Sequence, residues 1–363
     1  VSIQRVLISG GGTGGHIYPA IAIASALQEA NPKLEFLFVG AEGKMEMEKV
    51  PKAGFRIIGL PIVGINRQHM WKNLLFPIKL LRSLSKAFSI LNDFKPDLAI
   101  GVGGYASGPM LMAAYVKGIP FVIQEQNSFA GITNKLLSKK AQHIFVAYPG
   151  MEKFFPKEKI MLLGNPVRKD LIESKSKRLQ AATFFGLNPD KSTVLVIGGS
   201  QGARSINLAI EMGLKELEKA GVQLVWQTGV PFENQAKQSA AKNPTLSSYV
   251  SAFIYEMDLA YAMADIVISR AGALSVSEIC LAGKASVLVP FPNASEDHQT
   301  ENALSLVRQK AALLVKDNEA QQILIKTALE TLANISLLES LASASLSMGK
   351  PKAAQEIAAT LLS

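Results

Sequence analysis

Three observations predict an α/β chain built from two Rossmann-like, doubly wound domains. Short apolar runs alternate with helical patterns along all 363 residues. Some runs, such as Val194-Leu195-Val196-Ile197, are apolar throughout, as strands are when helices cover both faces of a parallel sheet. The order also restarts. Arg5–Ser9 leads into a glycine turn at Gly10, and about half the chain later Thr193–Ile197 leads into another at Gly198.

In the first half the strand candidates are Arg5–Ser9, Leu34–Val39, Phe55–Leu60, Leu98–Val102, Phe121–Gln124 and His143–Ala147. In the second they are Thr193–Ile197, Gln223–Gln227, Ile266–Ser269, Ser286–Val289 and Ala312–Val315. Pro77 opens a helix with Leu81, Leu84, Phe88 and Leu91 spaced as its core face and Lys79, Arg82 and Lys86 on another. The stretch from Trp71 to Arg82 is apolar and basic without an acid. That suits a solvated face of a core helix or a shallow membrane-surface patch. The domain join is expected near Gly164-Asn165-Pro166, giving residues 1–164 and 165–340, and the helical stretch 341–363 is expected to cross back to the first domain.

Composition narrows the function. With 48% apolar and 18% charged residues the chain has large cores. A net charge of +9 favours anionic partners, such as phosphorylated metabolites or an acidic membrane surface. An aromatic content of 7% and the lack of a nucleic-acid-binding signature make nucleic acid the weakest of the anionic partners. The single cysteine, Cys280, excludes an intramolecular disulfide, fits a reducing compartment, and reads as the buried face of a helix. No apolar run reaches the ~18 residues needed to span a bilayer, and no secretory signal is read before the first strand. A soluble protein, surface-attached at most, is expected.

The run Gly10-Gly11-Gly12-Thr13-Gly14-Gly15-His16 joins a strand to a helix N-terminus, where backbone N–H groups and the helix dipole favour an anion. Gly10-x-Gly12-x-x-Gly15 also matches the dinucleotide fingerprint, yet only Glu42 stands near the place where that fold needs an acid for the ribose. A phosphate turn of another kind and a structural tight turn remain alternatives. His16, just past the turn, is placed either as a general base or as a capping or packing residue. A second cluster, Gly101 to Pro109, ends another strand of the same domain, and two such turns in register suggest a diphosphate held between helix N-termini. Gln124-Glu125-Gln126-Asn127 ends a further strand, either facing a ligand or forming a solvated loop.

In the second domain, Gly198-Gly199-Ser200-Gln201-Gly202-Ala203 offers N–H groups and a hydroxyl to a phosphate. In Ser269 to Glu278, amides precede a carboxylate in the first turns of a helix, where Glu278 either holds ribose hydroxyls or complements the helix dipole. Gln299 and Asn302 are candidates for sugar hydroxyls. Glu296-Asp297-His298 are consecutive, which rarely lets all three converge on a metal, and read as loop. No Asp-x-Asp occurs to hold a divalent ion on a nucleotide diphosphate, so helix N-termini and basic side chains must meet that charge. Neither a metal nor a cofactor is expected.

Six motifs occur in a telling order: Gly11-Gly12-Thr13-Gly14-Gly15-His16; Gly103-Gly104-Tyr105-x-Ser107-Gly108-Pro109; Glu125-Gln126-Asn127; Gly164-Asn165-Pro166-Val167-Arg168; Gly198 to Ala203; and Arg270-x-Gly272-Ala273-Leu274-x-Val276-x-Glu278. Together they closely resemble the MurG family of peptidoglycan N-acetylglucosaminyltransferases, over nearly the whole chain. The resemblance implies a GT-B fold, two Rossmann-like domains facing across a cleft, in an enzyme at the cytoplasmic face of the bacterial membrane. It implies transfer of GlcNAc from UDP-GlcNAc to the C4 hydroxyl of lipid I, with inversion, giving lipid II. Donor contacts would fall on Thr13, Gly14, Gly15, Asn127, Arg168, Ser200, the Ile254 backbone, Ala273, Leu274, Ser275, Val276, Ser277, Glu278 and Gln299, with Glu278 on the ribose. Acceptor contacts would fall on Gly12, Gly103, Gly104 and Tyr105, His16 would be the base, and Trp71 to Arg82 would meet an anionic membrane surface.

Overall fold

Alternation of apolar strands with amphipathic helices produces two parallel sheets, each in its own unit. The structure, a computed structural model, describes residues 3–62, 76–167, 171, 176–199, 201–294 and 297–363. One unit comprises Val1–Arg168 with Lys352–Ser363, the other Lys169–Pro351.

In the first unit the order is β1 (Arg5–Ser9), α1 (Gly14–Ala30), β2 (Glu35–Ala41), α2 (Glu46–Lys52), β3 (Ile57–Leu60), α3 (Phe76–Phe94), β4 (Leu98–Gly101), α4 (Ser107–Val116), β5 (Phe121–Glu125), α5 (Ile132–Leu137), β6 (Ile144–Val146) and β7 (Ile160–Leu162). The strands lie in the order β3-β2-β1-β4-β5-β6-β7, all parallel, with Ile8 beside Phe38 on one flank and Ile100 on the other. Two apolar layers cover the sheet. One contains Leu7, Leu37 and Ile123 with residues of α3 and α4; the other contains Val6, Ile8 and Ile100 with residues of α1.

The second unit runs α6 (Arg178–Phe185), β8 (Thr193–Ile197), α7 (Arg204–Lys219), β9 (Gln223–Gln227), α8 (Glu233–Ala241), β10 (Ser248–Ser251), α9 (Met257–Met263), β11 (Ile266–Ser269), α10 (Ala273–Ala282), β12 (Ala285–Leu288), α11 (His298–Arg308), β13 (Leu313–Leu314), α12 (Ala320–Ala333) and α13 (Ile335–Met348). Its parallel sheet has the order β10-β9-β8-β11-β12-β13. The last helix, α14 (Ala353–Leu362), belongs to the first unit and lies on α1, adding Ala354, Ile357, Ala358 and Leu361 to its core. The returning segment therefore starts at Lys352, not at residue 341, because α13 packs on α10 of the second unit.

Three sequence readings change. β7 and β10 were not among the strand candidates; both are edge strands and only partly buried, so neither needs an apolar run. The core face of α3 is Ser83, Ala87, Ile90 and Leu91, while Leu81 is 67% exposed. The small side chains at 83 and 87 permit close packing of α3 on α4, leaving Leu84 and Phe88 half-buried. Trp71 to Leu75 lie outside the described residues.

Because Ile357 is fully buried against the first unit, Ile357→Ala is expected to cost about 2–5 kcal/mol in urea denaturation, whereas Ile323→Ala on the exposed side of α12 should cost under about 0.5 kcal/mol.

Candidate functional site

In the first unit the strand order reverses between β1 and β4, which makes their C-terminal ends the topological switch point where open α/β sheets take ligands. Both predicted glycine turns leave the sheet there and touch through backbone. A Cβ on Gly10 would overlap the Val102 side chain, and one on Gly104 would overlap the Gly11 carbonyl. Gly11, Gly12, Gly103 and Gly104 adopt φ of +149°, +91°, +87° and +83°, a region strained for any L side chain.

His16 follows directly. It is the third residue of α1, its Nδ1 lies 3.0 Å from Thr13 Oγ1, and its ring covers Gly103 so closely that a Cβ there would sit 3.0 Å from Nε2. Tyr105 is exposed beside Gly12, and Gly14 and Gly15 open the helix, where N–H groups lack intrahelical acceptors. Gly12 departs from expectation. Its N–H is spent on the buried carboxylate of Glu46, at 3.1 Å from both oxygens.

The polar residues that end β5 are neither a solvated loop nor open to a ligand, apart from half-buried Asn127. Glu125 accepts from the Asn127 N–H at 3.1 Å, the Gly131 N–H at 3.0 Å and Asn134 Nδ2 at 2.8 Å. Burial raises its pKa above the usual carboxylate range against the pull of these donors. Gln124 Nε2 donates to Asn165 Oδ1, Asn165 Nδ2 to the Gln126 carbonyl, and Gln126 Nε2 to the Val102 carbonyl. The Gly164-Asn165-Pro166 motif thus pins the chain to the ends of β4 and β5. Arg168 and Ser200, both predicted donor contacts, lie outside the described residues.

The second unit repeats the plan at β8 and β11. After β8, Gly199 and Gly202 have φ of +77° and +75°, and Gly202 meets the backbone of Thr228 and Gly229 with no room for a side chain. Asn207 locks this contact, donating to the Thr228 carbonyl at 2.8 Å and accepting from Trp226 Nε1 at 3.0 Å. After β11, Gly272 caps α10 in an extended conformation, so the amides of Ala273, Leu274 and Ser275 open the helix without intrahelical acceptors. Val276 is buried in the core, and the Ser277 hydroxyl donates to the Ala273 carbonyl of its own helix.

Glu278 lies in the second turn of α10, beyond the reach of a first-turn dipole role, and is half-buried with Tyr261 Oη donating to it at 3.3 Å. Ile254 is buried and its N–H donates to Gln227 Oε1 at 3.1 Å. Gln299 Oε1 accepts the Phe291 N–H at 3.0 Å, which holds the Pro290-Phe291-Pro292 turn against α11. Asn302, a predicted sugar contact, is fully buried and donates to the Ala271 carbonyl; it braces the start of α10. Cys280 is core, as predicted, and burial pushes its thiol up to about 11. Among the described residues no cluster of three or more potential ligands could hold a metal.

Four residues escaped the sequence reading: Glu46, Asn134, Tyr261 and Arg270 as a clamp. Arg270 pairs with Asp317 at 2.5 Å, donates to the Val289 and Pro290 carbonyls, and lies over the Phe291 ring. Only Arg270 carried a signal, its place in the last motif.

Comparison with known proteins now decides the family. The glycosyltransferase family 28 N-terminal domain matches residues 6–146, and the family 28 C-terminal domain matches residues 193–357. This chain belongs to glycosyltransferase family 28. A Bacteroides fragilis protein named UDP-N-acetylglucosamine–N-acetylmuramyl-(pentapeptide) pyrophosphoryl-undecaprenol N-acetylglucosamine transferase is 53% identical, over 98% of this chain and 94% of its own. A Porphyromonas gingivalis protein of the same name is 51% identical, over 97% and 93%. The crystal structure of MurG from Acinetobacter baumannii superimposes with a TM-score of 0.81 at 31% identity, covering 99% of each chain. A UDP-GlcNAc 2-epimerase from Neisseria meningitidis reaches a TM-score of 0.70 at 18% identity, over 99% and 100%, a likeness of fold alone. The fold is GT-B, and both family 28 domains carry their glycine turns at the switch points.

Gly104→Ala and Gly202→Ala each combine positive φ with a collision against backbone, whereas Gly43 has positive φ and open space. Gly43→Ala is expected to cost about 1–2 kcal/mol and the other two clearly more, measured by urea denaturation.

Proposed function

We propose that this chain transfers N-acetylglucosamine from UDP-GlcNAc to the C4 hydroxyl of MurNAc-pentapeptide carried on undecaprenyl diphosphate, with inversion, and so makes lipid II for peptidoglycan. The observation that carries the reading is identity above one half, along nearly the whole chain, to transferases of that name. In this reading the second unit holds the donor. The amides of Ala273 to Ser275 and the Gly198–Ala203 turn meet the diphosphate, Glu278 takes the ribose hydroxyls, and the Ile254 backbone carbonyl meets uracil. Gln299 offers its amide NH2 to the sugar, since its oxygen holds Phe291.

The first unit supplies the acceptor side through the Gly103-Gly104-Tyr105 turn, with Thr13, Gly14, Gly15 and Asn127 completing the donor contacts. His16 removes the proton of the attacking hydroxyl as the bond to the anomeric carbon forms and the bond to UDP breaks. For that, Nδ1–H donates to Thr13 Oγ1 and the reacting lone pair is on Nε2, the Gly103 side of the ring. Developing charge on UDP is met by helix N-termini, and the transfer is assigned no metal.

The acceptor's lipid requires a membrane surface, and we assign that role to one face of the first unit. No helix among the described residues is long and apolar enough to cross a membrane. Yet α3, α4 and α5 pack side by side and expose Ile78, Leu81, Val116, Ile132 and Leu136, the last at 75%. Lys79, Arg82, Lys117, Lys139 and Lys140 stand on the same helices or next to them. Exposed apolar side chains with lysines nearby suit anionic headgroups and support a peripheral membrane role; in this reading the enzyme works at the cytoplasmic face.

The direct test is transfer of radiolabelled GlcNAc from UDP-GlcNAc to a short-chain lipid I analogue in EDTA. Labelled disaccharide-lipid is expected; tight UDP binding without product would reopen the acceptor. His16→Ala should lower kcat by about 100-fold or more with donor KM nearly unchanged, and Glu278→Ala should act mainly on donor KM. Leu81→Asp with Leu136→Asp should abolish co-sedimentation with vesicles containing phosphatidylglycerol while leaving turnover on a water-soluble acceptor intact.

A further inference from the structure

Glu46 is a buried carboxylate next to a turn built to attract anions. It is 1% exposed, it opens α2, and among the described residues no lysine or arginine pairs with it. Its oxygens are satisfied by backbone instead. Oε1 accepts from the Ala41 N–H at 3.0 Å and the Gly12 N–H at 3.1 Å, and Oε2 lies 3.1 Å from the same Gly12 N–H. A charge out of water is tolerated only with such donors. Space around it is equally committed. A Cβ on Gly11 would overlap the carboxylate, and one on Gly40 would stand 2.5 Å from its Cγ.

The contacts continue outward in one line. Glu46 holds Gly11 and Gly12, Gly11 carries Gly104 backbone to backbone, and Gly103 beside it carries the His16 ring. A phosphate cannot use the Gly12 amide while Glu46 holds it, and a second anion at that spot would be repelled by the carboxylate.

We propose that Glu46 is a positioning residue for transfer: by accepting the Gly12 amide it sets both glycine turns and the His16 ring, and it directs the ligand's diphosphate away from Gly12. The assignment rests on the reading of His16 and these turns given above. Oε1 reaches both amides while Oε2 shares only the Gly12 N–H, so the role is hydrogen-bond acceptance, and a glutamine with its carbonyl oxygen at the Oε1 position can fill it whereas leucine cannot.

The test compares Glu46→Leu and Glu46→Gln in transfer to a short-chain lipid I analogue, with donor affinity by calorimetry. E46L is expected to lose about tenfold or more in kcat with UDP-GlcNAc affinity within about twofold of the parent, and E46Q to restore most of the turnover. Wild-type kcat in E46L, a loss confined to donor affinity, or an E46Q as slow as E46L would overturn the proposal. Should E46L not fold, Glu46→Asp, whose oxygens fall short of Gly12, must be slower than E46Q; the reverse order overturns it. A readout independent of activity is the Gly12 amide in a spectrum of glycine-15N-labelled protein. Its proton should stand downfield and move upfield in E46Q, and an unmoved signal would contradict the contact. If the parent chain transfers nothing, the proposed function fails and the Gly12 amide alone decides the Glu46 contact.

Discussion

Close approach of two backbones at the end of a parallel sheet is the constraint on which the rest of this molecule depends. Where β1 and β4 diverge, the turns that follow must pass within contact distance, and only residues without a Cβ can do so. The same problem recurs in the second unit, where Gly202 meets Gly229 and Thr228. Each solution leaves backbone amides and a helix start at the switch point. The amides that the proposed function uses for anions are therefore a by-product of how the strands separate.

Around each turn a different buried polar device holds the geometry. In the first unit it is carboxylate to amide: Glu46 on Gly12, and Glu125 on the Asn127 and Gly131 N–H groups and the side chain of Asn134 in α5. In the second it is Asn207 between Trp226 and Thr228, with Arg270 tying the ends of β11 and β12 to Asp317. Buried groups of this kind are costly unless every partner is present, so they fix one arrangement of the turns they serve. Asn302, a candidate sugar contact by its chemistry, instead braces the start of α10, and Asn165 ties together the ends of β4 and β5.

The doubly wound architecture was legible because parallel strands covered on both faces leave continuous apolar runs, and because the glycine turns recur at matching strand ends. Edge strands β7 and β10 were not, since an edge carries no such run. Periodicity misassigned Leu81 to the core of α3: leucines at helical spacing mark a face, and the spacing does not say whether protein or something else covers it. The position of Glu278 on a helix was readable, but its pairing with Tyr261 was not, because the two lie on different helices and meet only after both units of secondary structure are packed. Glu46 left no trace for a similar reason. It is one acid among several after β2, and its partner is an amide, which no side-chain pattern reveals.

The central claim is that the donor's diphosphate is held by the start of α10 and the Gly198–Ala203 turn, while the paired turns of the first unit serve the reacting group and the acceptor. Hydrogen exchange read by mass spectrometry, with and without UDP, tests this most directly. The account predicts slowed exchange at residues 198–203 and 272–278 and little change at residues 101–106. Protection of residues 101–106 with α10 unaffected would contradict it.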